Sequence, residues 1–292
     1  MHLDRTKQWT LKHPLNFEGV GLHSGAPVGM TLRPAPEDFG LHFVRSDLMG
    51  APAIPALAEY VVDTRLSTTL GVGSTRISTV EHLMAALWML GISNLEIRID
   101  GPELPILDGS ALPYVQAILE VGRREQDASR ARMTFDHRLE VDRGDRSVLF
   151  QPSSSNRPEI TYIVDYHHPH IGPQLFEEIL EEERFVTAIA PARTFCLLSD
   201  VEAMRKAGLA QGGSLDNAVV IAEDGPLSAL RFKDECVRHK VLDLIGDLAL
   251  TGLDWVGAVV AVKAGHPLHV ALARELRAHV FASEHPHAIS IA

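Results

Sequence analysis

The sequence predicts an α+β protein built in two parts. Strand-like and helix-like patterns occur in both halves of the 292 residues, and a polar segment at 122–132 with almost no apolar side chains lies between them. Such a break in apolar content is typical of a connection between two units. Hydrophobic residues make up 46% and charged residues 22%, as in a globular chain with substantial cores.

In the first half, runs rich in β-branched and apolar residues predict strands at 28–32, 41–44, 66–70 and 94–99. A helix is predicted over 79–90, because Val80, Leu83 and Leu87 recur at helical spacing and Gly91 follows as a stop signal. A second helix is predicted over 114–122, after Pro102 and Pro105. This half therefore mixes both kinds of element.

The second half follows the same mixed pattern. Strands are predicted at 139–141, 147–150, 160–164, 218–221 and 255–262, and helices at 201–207, 233–250 and 267–283. The acidic segment 176–184 is predicted to be a helix with a solvated face. The letters alone give no basis for an internal duplication.

Composition excludes several classes of protein. A formal net charge of −11 argues against nonspecific nucleic-acid binding and against a polybasic membrane protein. The two cysteines, Cys196 and Cys236, do not suggest a disulfide scaffold. The start lacks the features of a secretory signal, and no apolar run approaches the roughly 20 residues of a membrane helix. We therefore expect a cytoplasmic protein.

The helix over 233–250 carries the first candidate metal ligands. His239, Asp243 and Asp247 follow one another at steps of four, away from an apolar face, with Lys240 beside them. Residues four apart point the same way, so His239 and Asp243 could bind one ion. The alternative is a solvated polar face with a His–Asp pair, since the spacing is common.

The start of the helix over 79–90 carries Glu81 and His82. A Glu beside a metal-binding His is a suitable general base for an activated water. The alternative is structural, because Ser78 followed by Glu81 fits a capping box in which Glu81 only binds backbone donors.

His266 stands between a predicted strand and a helix, just before Pro267, a residue favoured at the first helical position. A helix N-terminus disfavours imidazolium, so a proton-donating histidine here needs a carboxylate nearby. Asp247 is the candidate partner. The alternative is a histidine in an ordinary connecting turn.

Seven short motifs, taken in order across nearly the whole chain, resemble the UDP-3-O-acyl-N-acetylglucosamine deacetylase family of lipid A biosynthesis. These motifs are GVGLHSG at 19–25, VDTRL at 62–66, STVEHL at 78–83, PILDGSA at 105–111, ARTF at 192–195, GSLDNA at 213–218 and VRHK at 237–240. Each is short, but their combination in this order is specific.

The resemblance implies an α+β two-domain sandwich, each domain layering helices against a β-sheet, with the active site between domains 1–125 and 131–292. It implies zinc-dependent hydrolysis of the acetamide of UDP-3-O-(3-hydroxyacyl)-N-acetylglucosamine to the free amine and acetate, the committed step of lipid A biosynthesis. Zinc, with Fe²⁺ as an alternative in cells, is the expected cofactor. The expected partner is this small-molecule substrate, bound by a monomer without nucleic acid or stable membrane insertion.

The resemblance also assigns site residues by position. The zinc ligands are His82, His239 and Asp243. The groups given a part in catalysis are Glu81 as general base, His266 as general acid, Asp247 as the carboxylate supporting His266, and Thr194 as an oxyanion donor. The substrate-binding residues are Lys240, Lys263 and Phe195.

Four positions depart from the family pattern as the resemblance gives it. Cys196 stands where glycine is expected, Cys236 where phenylalanine is usual, Ser67 where cysteine is frequent, and His269 where asparagine is common. None removes an assigned group. Two other functions stay open, namely a paralogous deacetylase of another N-acylated sugar nucleotide and a silent member that binds zinc or a partner. Retention of Glu81, His266 and Asp247 argues against the silent member.

Overall fold

The structure is a computed structural model that describes residues 3–50 and 53–284. The two ends of the predicted domains, 1–2 and 285–292, lie outside the described residues. The first half contains the strands β1 (Lys7–Leu11), β2 (Leu15–Val20), β3 (Pro27–Pro34), β4 (Leu41–Arg45), β5 (Ile54–Pro55), β6 (Val61–Asp63), β7 (Thr69–Val72), β8 (Thr75–Ile77) and β9 (Leu95–Ile99). Its helices are α1 (Glu81–Met89) and α2 (Leu112–Val121), and a 3-10 turn covers Ala58–Tyr60.

The second half is organised in the same way. Its strands are β10 (Arg123–Ser129), β11 (Arg132–Met133), β12 (Leu139–Arg143), β13 (Arg146–Gln151), β14 (Glu159–Val164), β15 (Gln174–Ile179), β16 (Phe195–Leu197), β17 (Val219–Ala222), β18 (Gly225–Pro226), β19 (Asp254–Trp255) and β20 (Ala258–Val262). Its helices are α3 (Glu182–Arg184), α4 (Leu198–Lys206), α5 (Glu235–Ala249) and α6 (His266–Glu284), and a π-helical turn covers Phe185–Ile189.

The two main sheets have one topology. The first has the order β2-β3-β9-β4-β5 and the second the order β12-β13-β20-β14-β15. In both, the central strand, β9 or β20, pairs antiparallel on one side and parallel on the other. Each central strand follows one long helix, α1 or α5, and precedes another, α2 or α6. The fold therefore contains a duplication that the letters do not reveal, and the α+β class is confirmed.

The helices cover one face of each sheet. Burial alternates along β3, β9, β14 and β20, as expected for strands with one face packed on a core. Helix α1 packs against α2 and α5, and α5 also packs against α6 and β14. One cluster of buried side chains includes residues of both halves, from Trp9 to Leu276. The predicted boundary between 125 and 131 stays a prediction.

Two local predictions differ from the structure. The segment 176–184, predicted as a helix, begins instead with the last residues of β15, an edge strand that pairs antiparallel with β14. Its Phe176 side chain is buried whereas Leu175 and Glu177 are exposed, an alternation that periodicity of acidic residues cannot show. Pairing with β14 therefore outweighs the helix propensity of the glutamates.

The polar segment between the halves is also ordered. Residues 123–129 form β10, which pairs antiparallel with β1. The buried amide of Gln126 donates to the carbonyl of Ala35 and accepts from the Asn94 amide. The segment has few apolar residues because it forms one strand of an exposed two-stranded sheet. Its buried Gln126 forms hydrogen bonds through its side-chain amide instead of packing an apolar group. None of the described helices is long and apolar enough to cross a membrane.

Candidate active site

The site forms where α1 begins against the middle of α5. Gly246 makes this approach possible, because a Cβ atom at this position would lie 2.0 Å from the carbonyl oxygen of Glu81. Helix α1 carries Glu81 and His82 in its first turn, and α5 carries Asp243 and Asp247 on either side of Gly246. A contact of backbone on backbone thus brings together residues that are more than 150 positions apart.

His82, His239 and Asp243 form a group of donors that could hold a metal ion, with their ligand atoms within 4.8 Å of one another. The Nε2 atoms of His82 and His239 lie 3.8 and 3.4 Å from Oδ1 of Asp243. All three side chains are buried. Two imidazoles and one carboxylate are a donor set of catalytic zinc sites, in which further positions stay open for water or substrate. The residues present therefore fit zinc.

A backbone carbonyl orients one of these imidazoles. Nδ1 of His239 lies 3.1 Å from the carbonyl oxygen of Ala192, so Nδ1 carries the proton and Nε2 keeps its lone pair for the metal. Ala192 follows the π-helical turn at Phe185–Ile189, an irregularity that is frequent near functional sites.

Electrostatics favour the ligand forms of these three side chains. Burial lowers the pKa of His82 to about 3, and it lowers the pKa of His239 as well, so both imidazoles are neutral. Burial alone raises the pKa of Asp243, but the nearby His239 and Lys240 outweigh it and the pKa is lowered. The Lys240 ammonium donates to Oδ2 of Asp243 at 2.6 Å.

Glu81 faces the metal group from the N-terminal turn of α1. Its Oε2 accepts from the backbone N–H of Thr68 at 3.0 Å, and its Oε1 lies 4.0 Å from Nε2 of His266. Burial raises its pKa to about 8, and a metal cation nearby would favour the carboxylate. The N-cap residue of α1 is Val80. The capping-box interpretation of Ser78 and Glu81 is therefore wrong.

His266 is the first residue of α6 and bonds to Asp247. Its Nδ1 lies 2.8 Å from Oδ2 of the fully buried Asp247, and its Nε2 lies 3.9 Å from Oδ2 of Asp243. Burial lowers the pKa of His266, but the charges of Asp247 and Asp243 outweigh this and raise it to about 9. The carboxylate that the sequence requires for an imidazolium at a helix N-terminus is thus present.

A largely apolar cavity of about 490 Å³ opens beside this cluster. Thr194, Phe195 and Lys240 line it, together with Cys196. Its apolar lining comes largely from α4 and the sheet β16-β17-β18 and includes Leu197, Leu198, Val201, Met204, Leu215, Val220 and Leu227. Such a lining suits an aliphatic chain.

Lys263 lies apart from the lining of this cavity. It directly follows the last residue of β20 and has a φ of 49°. Its ammonium lies 3.4 Å from a carboxylate oxygen of Asp165 and 3.5 Å from one of Asp145. The structure therefore gathers six of the predicted site residues around the metal group and places three along the cavity, with Lys263 outside both sets.

The structure adds residues that sequence reasoning missed. Thr68 uses its backbone N–H to bind Glu81 and its hydroxyl, at 2.5 Å, to bind Oδ1 of Asp247. His23 lines the cavity, and its Nδ1 accepts from the N–H of Ala210. Its place in the first motif was the available signal, whereas nothing in the sequence connects Thr68 with a carboxylate 179 positions away.

With this geometry in place, comparison with known proteins decides the family. The family model described as UDP-3-O-acyl N-acetylglycosamine deacetylase (LpxC) matches residues 8–278. The chain belongs to this family. All the site residues above fall inside the matched range.

Three relatives carry the name UDP-3-O-acyl-N-acetylglucosamine deacetylase. The protein of Anaeromyxobacter sp. (strain Fw109-5) is 48% identical over 273 residues, covering 93% of this chain and 88% of its own. That of Myxococcus xanthus is 48% identical over 271 residues, covering 92% and 86%. That of Leptospira biflexa is 42% identical over 277 residues, covering 94% and 91%.

Proposed function

We propose that this chain hydrolyses the acetamide of UDP-3-O-(3-hydroxyacyl)-N-acetylglucosamine to the free amine and acetate with zinc as cofactor, the committed step of lipid A biosynthesis. One observation carries the proposal: the buried group of His82, His239 and Asp243 lies against a carboxylate, Glu81, and a cationic imidazole, His266, beside an apolar cavity. The family name of the relatives supplies the substrate.

In this proposal His82, His239 and Asp243 hold the zinc. When bound, zinc supplies a Lewis acid for the carbonyl oxygen of the acetamide. Glu81 accepts the proton of the attacking water, and the N–H of Thr68 holds its other oxygen in place.

His266 then donates a proton to the amide nitrogen as the C–N bond breaks. An amine anion is a poor leaving group, so this transfer makes the collapse productive. Asp247 holds Nδ1 of His266, so that Nε2 points toward Glu81 and Asp243. The base and the acid thus face the same point from different helices.

The cavity accounts for much of the rest of the substrate. Of the residues that line it, Thr194 acts as a donor for the developing oxyanion, Phe195 contacts the sugar and acyl chain, and Lys240 offsets charge of the diphosphate. Lys263, outside the cavity lining, is proposed as a second cation for the diphosphate. Zinc is the proposed metal, with Fe²⁺ as the alternative in cells. We propose a cytoplasmic monomer with domains 1–125 and 131–292.

The test is release of acetate from the acylated UDP-N-acetylglucosamine by purified, zinc-loaded protein, with His266→Gln as the comparison. We expect turnover by the wild type and a kcat lower by about 10² or more in the variant, since general acid catalysis contributes this much. An inactive wild type that deacetylates another N-acylated sugar nucleotide would identify the paralogous enzyme. A zinc-loaded protein that is inactive on all such sugars would favour the silent member.

Removal of one ligand is expected to remove the metal. His239→Ala deletes an imidazole whose Nε2 lies 3.4 Å from Asp243 and whose Nδ1 is held by Ala192, so the group falls to two donors. We expect the dialysed variant to contain little zinc by elemental analysis, whereas His137→Ala, at a half-exposed histidine outside the site, retains it. Full occupancy in His239→Ala would refute the ligand assignment.

A further inference from the structure

His269 lies one turn beyond His266 on α6 and bonds to the same carboxylate. Its Nδ1 is 2.9 Å from Oδ2 of Asp247, the oxygen that Nδ1 of His266 approaches at 2.8 Å. Oδ1 of Asp247 accepts from the Thr68 hydroxyl. His269 and Asp247 are both fully buried. A carboxylate that accepts three bonds without exposure to water is fixed in orientation.

The far side of His269 faces Tyr162, a fully buried side chain of β14. Its hydroxyl lies 3.0 Å from Nε2 of His269 and 2.9 Å from the carbonyl oxygen of Ala264. Ala264 belongs to the short loop between β20 and His266. Tyr162 therefore contacts both the loop that leads into His266 and the imidazole that supports Asp247.

The donors and acceptors available determine which atom donates to Asp247. An ionised carboxylate only accepts, so His269 donates to Asp247 from Nδ1. Burial lowers the pKa of His269, which leaves Nε2 as an acceptor in the neutral ring. The single proton of the Tyr162 hydroxyl then serves either Nε2 or the Ala264 carbonyl. In either case Nδ1–H of His269 donates to Asp247, and the Tyr162 hydroxyl stays in contact with both His269 and the Ala264 carbonyl.

We propose that His269 and Tyr162 are positioning residues for the proton donor, a role that rests on the proposed function. They fix the Asp247 carboxylate and the 263–265 loop, so that Nε2 of His266 stays within 4.0 Å of Glu81 and 3.9 Å of Asp243. The chain of contacts ends at Asp247 and so acts on the reaction through His266. His269, at a position where the sequence resemblance leads one to expect asparagine, then helps to orient the histidine that transfers the proton.

The test compares two substitutions at position 269. His269→Leu removes the Nδ1–H donor to Asp247 and fills the space with an apolar side chain. In His269→Asn, the side-chain amide nitrogen can donate in place of Nδ1. We expect His269→Leu to lower kcat about 10-fold, in the range typical for supporting partners of site residues, with KM and zinc content unchanged. His269→Asn should restore most of kcat. Tyr162→Phe should lower kcat several-fold.

Thr10→Val is the matched control, because it removes a buried hydroxyl that donates to the carbonyl of Asn94 at 2.7 Å, away from the site. It should lower the melting temperature and leave kcat unchanged. Wild-type kcat in His269→Leu, or equal losses in His269→Leu and His269→Asn, would overturn the positioning role.

A spectroscopic measurement separates this proposal from the proposed function. The downfield Nδ1–H proton resonance of His266, assigned through its disappearance in His266→Gln, should shift in His269→Leu and move back in His269→Asn. This holds even if no acetate is released by the wild type, a result that would remove only the substrate assignment. An unmoved resonance in His269→Leu would show that His269 does not act on His266.

Discussion

Replacing Glu81 with glutamine is expected to lower kcat for acetate release by about 10²–10⁴, the usual contribution of a general base, while the metal stays bound. The amide has the shape of the carboxylate, and its oxygen can still accept from the N–H of Thr68. The neighbouring His82 keeps its distance to Asp243, so the ligand group is preserved. What is lost is the site that accepts a proton from water.

Steady-state kinetics and zinc analysis on the same preparation measure the two quantities. Asp254→Asn is the control, since it also neutralises a buried carboxylate, but one that pairs with Arg5, Arg130 and Arg132 and with no residue of the metal group. That variant should melt at a lower temperature with its kcat retained. A Glu81→Gln enzyme with full zinc and wild-type kcat would rule out Glu81 as the base.

The second large effect is expected from Gly246→Ala, a change in a residue without a functional group. The added Cβ would lie 2.0 Å from the carbonyl oxygen of Glu81, 2.7 Å from its carbonyl carbon and 2.9 Å from its Cα. Alanine favours the helix by up to about 1 kcal/mol. Overpacking against a fixed backbone costs about 1–3 kcal/mol or more, so the clash dominates.

Relief of this clash requires α1 to move away from α5. Because His82 is on α1 and His239 and Asp243 are on α5, we expect weaker zinc binding and a large loss of kcat together with a lower melting temperature. Gly172→Ala is the control, since a Cβ there meets nothing within 4 Å. Unchanged zinc affinity in Gly246→Ala, measured by competition with a chelator, would contradict the role of this contact.

Local patterns predicted most of the long elements. The apolar spacing of Val80, Leu83 and Leu87 predicted the start of α1 to within two residues. The pattern over 233–250 predicted the start of α5 equally closely. The polar side of α5 was ambiguous, because the same His–Asp spacing suits solvent or a metal. Burial of His239 and Asp243 depends on α1 packing against them, which no local pattern contains.

The parts of the site that escaped prediction depend on distant contacts. Thr68 and Tyr162 are ordinary strand residues in sequence, and their partners Asp247 and His269 are on other elements. The edge strand β15 was predicted as a helix because its glutamates favour one and only Phe176 is buried. The family motifs thus pointed to the candidate ligand and base positions, whereas the residues that bond to them became visible only in the fold.

The repeated topology has a consequence for how the chemistry is divided. In a symmetric dimer of like units, any side chain added to one interface helix is added to its partner as well. Fusion of the two units into one chain removes this constraint. Helix α1 carries Glu81 and one imidazole of the candidate metal group, while its counterpart α5 carries a second imidazole and two carboxylates. Two equivalent helices can carry such different sets of groups only when their sequences are free to diverge.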